Sequence, residues 1–312
     1  MRMAKADELR VSGVRISHPD DVLYAEQGIT KRELAEYYVA VADRILPFLR
    51  GRPLTLVRCP DGEGGACFYQ RHASGHLPPE MRQVEVESPD GEKSLHLAAE
   101  TLKAVLAMVQ MRVLELHTWS ARRDRLDRPD RMVLDLDPGP GVSWAGVVGA
   151  AFSFRDRLAE LGLRSFVKTT GGKGVHVVVP LARRHSWDQV REFSRALAEE
   201  ATRRAPGHYV EHSAKADRKG RIFVDYLRNA WGASIVTPFS TRSRPGAPVS
   251  TPLTWDELRS GAEPLDFTVR TVPARLAKLR QDPWHDYPAA ARQTITRAAL
   301  KRVSHRDTEA QR

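Results

Sequence analysis

The stretch Arg131-Met-Val-Leu-Asp-Leu-Asp-Pro-Gly-Pro-Gly141 constrains this chain more than any other. Met132, Leu134 and Leu136 alternate with Val133, Asp135 and Asp137, which is the period of a β-strand, and Pro138-Gly139 stop it. Residues two apart in a strand share a face, so Asp135 and Asp137 project together with Cα atoms roughly 6.5 Å apart. Asp before Pro-Gly is also common in plain acidic turns. Here, however, Asp135 lies inside the apolar run, where an unpaired carboxylate is costly to bury. Neighbouring carboxylates repel unless a cation neutralises them, and a hard divalent ion with oxygen ligands at about 2.1 Å suits such a pair.

On either side, helices and strands alternate. Thr30 and Glu33 form a capping-box pair, followed by apolar residues at helical spacing from Leu34 to Phe48, with Gly51 ending the element. Lys31, in the first turn, opposes the helix dipole and is a candidate phosphate contact. Residues 54–58 read as a strand, followed by a Gly-rich loop. Phe68 and Tyr69, set among Arg58, Gln70, Arg71 and His72, suit base stacking. Cys59, Cys67, His72 and His76 do not have a usual zinc-ligand spacing. Residues 84–87 read as a strand, 94–111 as an amphipathic helix and 113–119 as a strand carrying His117. Residues 121–131 are a charged linker between two halves.

In the second half, helices are expected over 144–161 and 187–204. Strands are expected over 164–169, 175–179 and 221–227, the last two holding His176 and Asp225. The turn Thr170-Gly-Gly-Lys-Gly174 between two of these strands is not a Walker loop, but its exposed backbone N–H groups and Lys173 suit a phosphate. Arg242 and Arg244, flanked by hydroxyls in a Ser/Pro loop, fit oxyanion recognition. Short helices are expected over 255–259 and 273–279. Residues 1–10 are expected to fray, and residues 286–312 read as a separate basic tail.

The net charge of +10 and pI near 9.8 favour a polyanionic partner, nucleic acid first. No apolar run reaches the ~18 residues of a membrane span, and no signal core is present, so a cytoplasmic protein is expected. Two cysteines fit a reducing compartment without a disulfide framework.

The order His117, Asp135-x-Asp137, Thr-Gly-Gly-Lys-Gly-x-His176, Asp225, Arg242-Ser-Arg244 resembles the polymerase domain of bacterial ATP-dependent DNA ligase D, in the archaeo-eukaryotic primase superfamily. The resemblance covers roughly residues 12–285. It implies an α/β (α+β) primase-type catalytic domain over 1–285, with a first half of about 12–120 and an RRM-like antiparallel half of about 121–285. It also implies template-directed nucleotidyl transfer with two Mn²⁺ or Mg²⁺ ions and an NTP or dNTP, in non-homologous end joining with Ku and a DNA ligase. By family position Asp135, Asp137 and Asp225 hold the metals. Thr170, Lys173, His176, Arg218, Arg242, Arg244 and His117 serve the nucleotide, and Phe68, Tyr69 and Lys31 serve DNA, the last at a 5′-phosphate; Arg58, beside the aromatic pair, is a further candidate DNA contact. Asp21 stands where the family places a second 5′-phosphate lysine. Two readings of other classes stay open: a metal-dependent nuclease, and a non-catalytic module that bridges DNA ends.

Overall fold

The computed structural model describes residues 8–73, 77–212 and 214–304. The expected fraying at the N-terminus, His76 of the Cys/His set and the end of the basic tail therefore lie wholly or partly outside the described residues. The chain packs as two units. One takes the residues up to Asp124 together with Ser234–Thr251 and Pro264–Arg280. The other takes Arg125–Ala233, Pro252–Glu263 and the residues from Gln281 on.

The second unit is built on the acidic strand, Arg131–Pro138, which lies inside a six-stranded sheet. Across the sheet the order is Tyr209–Val210, Ile222–Asp225, Arg131–Pro138, Val175–Pro180, Phe166–Thr169, Pro252–Leu253. All pairs are antiparallel except the parallel edge pair at Tyr209–Val210. Helix Trp144–Glu160 joins the first strand of this half to the second, and helix Trp187–Arg204 leads from the third, by way of the short edge strand Tyr209–Val210, to Ile222–Asp225. Both helices start on serine caps, Ser143 and Ser186, and both pack on the sheet. The resulting β-α-β-β-α-β path is the RRM-like antiparallel arrangement expected for this half. Met132, Val133, Leu134 and Leu136 are all fully buried.

The first unit holds a four-stranded antiparallel sheet in the order Ser234–Val236, Val113–Trp119, Leu54–Arg58, Phe68–Gln70. Helices Lys31–Ala40 and Leu102–Gln110 pack on each other. The Thr30 capping box is complete, with both reciprocal hydrogen bonds to Glu33 present.

Four expectations need correction. The two units are not consecutive halves. The first boundary falls near the charged linker, but the chain returns to the first unit because Ser234–Val236 completes its sheet beside Val113–Trp119. Residues 94–111 are not one helix: Lys93–Ala98 pairs with Arg82–Glu87 as a hairpin, and the helix starts only after the Thr101 N-cap. The segment after 286 is no detached tail either. Ile295, Ala299 and Val303 are buried, and Gln293 donates to the carbonyls of Arg164 and Pro180. Finally, Cys59 and Cys67 form a disulfide. Pairing of Arg58 with Phe68 brings the next residues out along the hairpin, the two cysteines, face to face. Among the described residues no helix is long and apolar enough to cross a membrane.

Candidate active site

Strand register decides what meets in the second unit. Asp135 stands opposite His176 on one neighbouring strand and opposite Asp225 on the other, and His176 stands opposite Lys168 one strand further out. Directly paired residues of antiparallel strands share a face, so Lys168, His176, Asp135 and Asp225 form one row across four strands. His176 Nε2 lies 3.5 Å from Asp135 Oδ2. Asp225 Oδ1 accepts the backbone N–H of Leu227 at 2.9 Å. The Arg228 Nε reaches Asp225 Oδ2 at 3.1 Å and Asp135 Oδ2 at 3.6 Å.

The two acids are held in opposite senses. Burial works to raise the Asp135 carboxyl, but His176, Arg228 and Lys168 outweigh it and hold it at about 2. Burial raises Asp225, and the charge of Asp135 raises it further against the pull of Arg228. His176 is pushed down to about 4 by burial first and Lys168 second, so it faces Asp135 as a neutral ring. Asp137 is more open, and its carboxylate accepts from Arg218 at 2.9 Å. Arg218 lies over the ring of Phe223 at 4.0 Å, and Phe223 is the register partner of Asp137, which explains how the guanidinium is aimed. Among the described residues no three His, Cys, Asp or Glu side chains are gathered closely enough to hold a metal as they stand.

The loop between Phe166–Thr169 and Val175–Pro180 is built on Thr170. Its hydroxyl donates to Gly174 O at 3.1 Å and accepts from Gly172 N at 3.2 Å, and Gly171 turns the chain at φ +66°. Thr170 therefore shapes the loop from within, while Lys173 at its tip is exposed. A Cβ on Gly174 would lie 2.3 Å from Leu136 O, and one on Gly139 1.7 Å from Arg218 O. Both turns press main chain directly on main chain at the end of the acidic strand.

The first unit gathers a second group around Glu115, a residue the sequence did not single out. Its Oε2 lies 2.7 Å from His117 Nε2 and 2.9 Å from Arg242 Nε, and its Oε1 accepts from Ser243 N and Oγ at 2.9 and 2.8 Å. Burial opposes its charge, but His117, Arg242 and the Ser243 N–H hold it far below the usual carboxylate range. Arg242 is thus tied down, whereas Arg244 is exposed. Tyr69 meets the His117 ring edge-on at 6.5 Å. Phe68 and Tyr69 are 45% and 72% exposed, so neither ring is spent on the core. Arg58 braces them from below, bonded to Met111 O and Gln70 Oε1 and stacked on Phe68.

Lys31 departs from expectation. It is buried, its Nζ donates to Ser17 O at 2.7 Å, and it lies 3.6 Å from Asp21 Oδ2. The same carboxylate is bonded by Arg112. Asp21 is the internal counter-ion of two cations, which draws Lys31 inward from the surface position a phosphate contact requires. Glu115, Lys168 and Arg228 were the residues missed. The first two carried the signal that exposed Asp135, a charge inside an apolar strand.

Residues 30–284 match the LigD primase-polymerase domain model. The chain is 44% identical over 300 residues to the multifunctional non-homologous end joining protein LigD of Pseudomonas aeruginosa, covering 96% of this chain and 35% of that protein. It is 30% identical over 251 residues to the LigD of Mycolicibacterium smegmatis, covering 80% of this chain and 33% of that protein. The chain spans about a third of the length of these curated relatives. Its structure matches the polymerase domain of Mycobacterium tuberculosis ligase D in complex with DNA, with TM-score 0.82 and 28% identity over 90% of this chain and 98% of that one.

Proposed function

Because this chain belongs to the LigD primase-polymerase domain family, we propose that it extends a primer 3′-hydroxyl with ribo- or deoxyribonucleotides at DNA gaps or ends, as the polymerase component of non-homologous end joining. The observation that carries this is the register of Asp135 against Asp225, with Asp137 two residues on. The donor set fits a hard divalent cation: all ligands are carboxylate oxygens, and burial and the charge of Asp135 raise the Asp225 carboxyl, a cost that a shared cation would relieve. Asp135, Asp137 and Asp225 would hold two Mn²⁺ or Mg²⁺ ions, with Asp137 released from Arg218. When bound, such ions activate the attacking hydroxyl and offset charge on the leaving pyrophosphate.

This chain's own side chains supply the rest. Phosphoryl transfer asks a protein for positioning and charge, not covalent chemistry. Lys173, at the tip of a loop seated on the acidic strand, would take phosphate charge, and Arg218, aimed by Phe223 at the end of the same strand, would add to it. Neutral His176 orients Asp135 without competing for it. In the first unit Phe68 and Tyr69 offer two open stacking faces for bases, Arg244 supplies positive charge for a nucleotide phosphate, and Glu115 holds His117 and Arg242 in place as further nucleotide contacts. Ku and a DNA ligase are the partners this role requires, and the cytoplasm its compartment.

Primer extension on gapped and 3′-overhang DNA tests the reading, with rNTP against dNTP and Mn²⁺ against Mg²⁺. Template-dependent addition is expected. Strand cleavage without addition would instead make the protein a nuclease. End synapsis that survives loss of the three acids, with no addition, would make it a bridging module.

A further inference from the structure

Arg228 belongs to none of the groups assigned above, yet it touches both paired acids with one atom. Its Nε is 3.1 Å from Asp225 Oδ2 and 3.6 Å from Asp135 Oδ2. The other Asp225 oxygen is taken by the Leu227 N–H, so Oδ2 is the Asp225 oxygen that Arg228 holds. A cation shared by the two carboxylates would compete for the same oxygens. The backbone beneath Arg228 is anchored. It lies in the short turn Leu227–Asn229, and the fully buried Asn229 binds Val133 N and O at 2.8 Å each and Ser194 Oγ at 3.1 Å. The side chain above that anchor is 46% exposed, so its guanidinium can leave the acids for solvent without disturbing the turn.

We propose that Arg228 is a built-in competitor for the divalent ion: its guanidinium holds Asp135 and Asp225 together before the ion arrives and gives up those oxygens when it binds. This rests on the two-metal reading of the acids. A resident positive charge at this place keeps the buried pair from repelling and weakens ion binding by the strength of the contacts the ion must break. It also makes ion uptake depend on ionic strength, because a half-exposed ion pair is screened by salt.

The test is Mn²⁺ binding to the full chain, read from the electron paramagnetic resonance of free Mn²⁺, together with the melting temperature in chelator. Arg228→Met is expected to bind Mn²⁺ about fivefold more tightly at low salt, the scale of half-exposed ion pairs. It should also melt at a lower temperature in chelator and regain the difference when Mn²⁺ is saturating. Arg228→Lys, which keeps the charge, should stay near the wild-type affinity. Arg228→Gln serves as a second neutral variant should the methionine form not fold. Unchanged or weaker Mn²⁺ binding in a folded neutral variant overturns the proposal while leaving the metal reading intact. If Asp135→Asn binds Mn²⁺ as the wild type does, the metal reading fails, and the role of Arg228 fails with it.

Discussion

Asp135 and Asp225 stand directly opposite one another on adjacent antiparallel strands, and a single guanidinium, that of Arg228, lies within reach of both carboxylates. Two acids so placed in a mostly apolar sheet destabilise it unless positive charge answers them. Replacing any of Asp135, Asp137 or Asp225 by alanine is therefore expected to lower primer extension by at least about 100-fold, since metal coordination supplies several kcal/mol of transition-state stabilisation. Binding to gapped DNA should change by no more than a few-fold. Extension above a few per cent of the wild-type rate would remove that residue from the metal set.

Lys173 and Arg244 are both exposed and both assigned to phosphate. A hydrogen bond to a charged group contributes about 1.5–3 kcal/mol, so Lys173→Ala and Arg244→Ala should each cost roughly ten- to a hundredfold in kcat/KM for the nucleotide. DNA affinity should hardly move. Unchanged nucleotide kinetics in both variants would refute the phosphate assignment.

Arg242 calls for a different measurement. Its partner Glu115 is 4% exposed and carries its charge. Arg242→Ala leaves that charge with one cationic neighbour fewer, and breaking a buried pair costs about 3–5 kcal/mol. Denaturant unfolding should show the loss, and Glu115→Gln in the same chain should return part of it. A variant as stable as the wild type would show that Glu115 is adequately held by His117 and Ser243 alone.

Asp21 is fixed between Lys31 and Arg112. Asp21 offsets part of the charge of both cations and Lys31 is buried, so gaps with a 5′-phosphate should be preferred only weakly over those with a 5′-hydroxyl. Asp21→Asn frees them and should raise that preference, at a stability cost of about 1–2 kcal/mol because Asp21 is partly exposed. The check is a pair of gap-binding titrations at fixed salt, since phosphate contacts are strongly salt-dependent. Strong discrimination by the native protein, left unchanged in Asp21→Asn, would show that the phosphate is gripped elsewhere.

His96 carries a pH dependence of stability. It is buried between the rings of His72 at 4.7 Å and Trp119 at 5.3 Å. Burial first, then the charges of His72 and Arg71, push it down to about 4. In the unfolded chain the same ring takes its proton near 6.5. Between those values the unfolded state binds more protons than the native state, so stability is full above about pH 6.5 and falls as the pH drops toward 4. Unfolding midpoints at a series of pH values should fall over this window, and His96→Phe should flatten the slope.

Much of this was legible because the acidic strand, the glycine turn and the helix caps carry local signals. The helix Trp187–Arg204 and strand Val113–Trp119 fall where their periodicities place them. The hairpin at Lys93–Ala98 was not legible. Leu97 and the leucine at 102 suit a helix face as well as a strand, and only the pairing with Arg82–Glu87 decides between them. The interleaving of the two units was hidden for a related reason: nothing within Ser234–Val236 announces which sheet it will join. Within the site, sequence named the acids but not their counter-ions. Arg228 looks like any surface arginine until the register of distant strands puts both carboxylates beside it. The burial of Lys31 followed from a contact with Asp21, ten positions earlier, that spacing alone does not reveal.

Gly139 and Gly174 have a consequence for what the site can choose. At Gly174 the loop rests on Leu136 O, and at Gly139 the end of the acidic strand rests on Arg218 O, with no room for a methyl group at either, so the seat of the Lys173 loop on the acidic strand is cut into the main chain like a mark on a ruler. Side-chain changes alter the charge read at each mark but not the interval. With Lys173 on a phosphate, as proposed, a ruler of this kind would measure the polyphosphate and take no account of the sugar attached to it. Discrimination between ribose and deoxyribose must then come from parts of the protein that this interval does not govern.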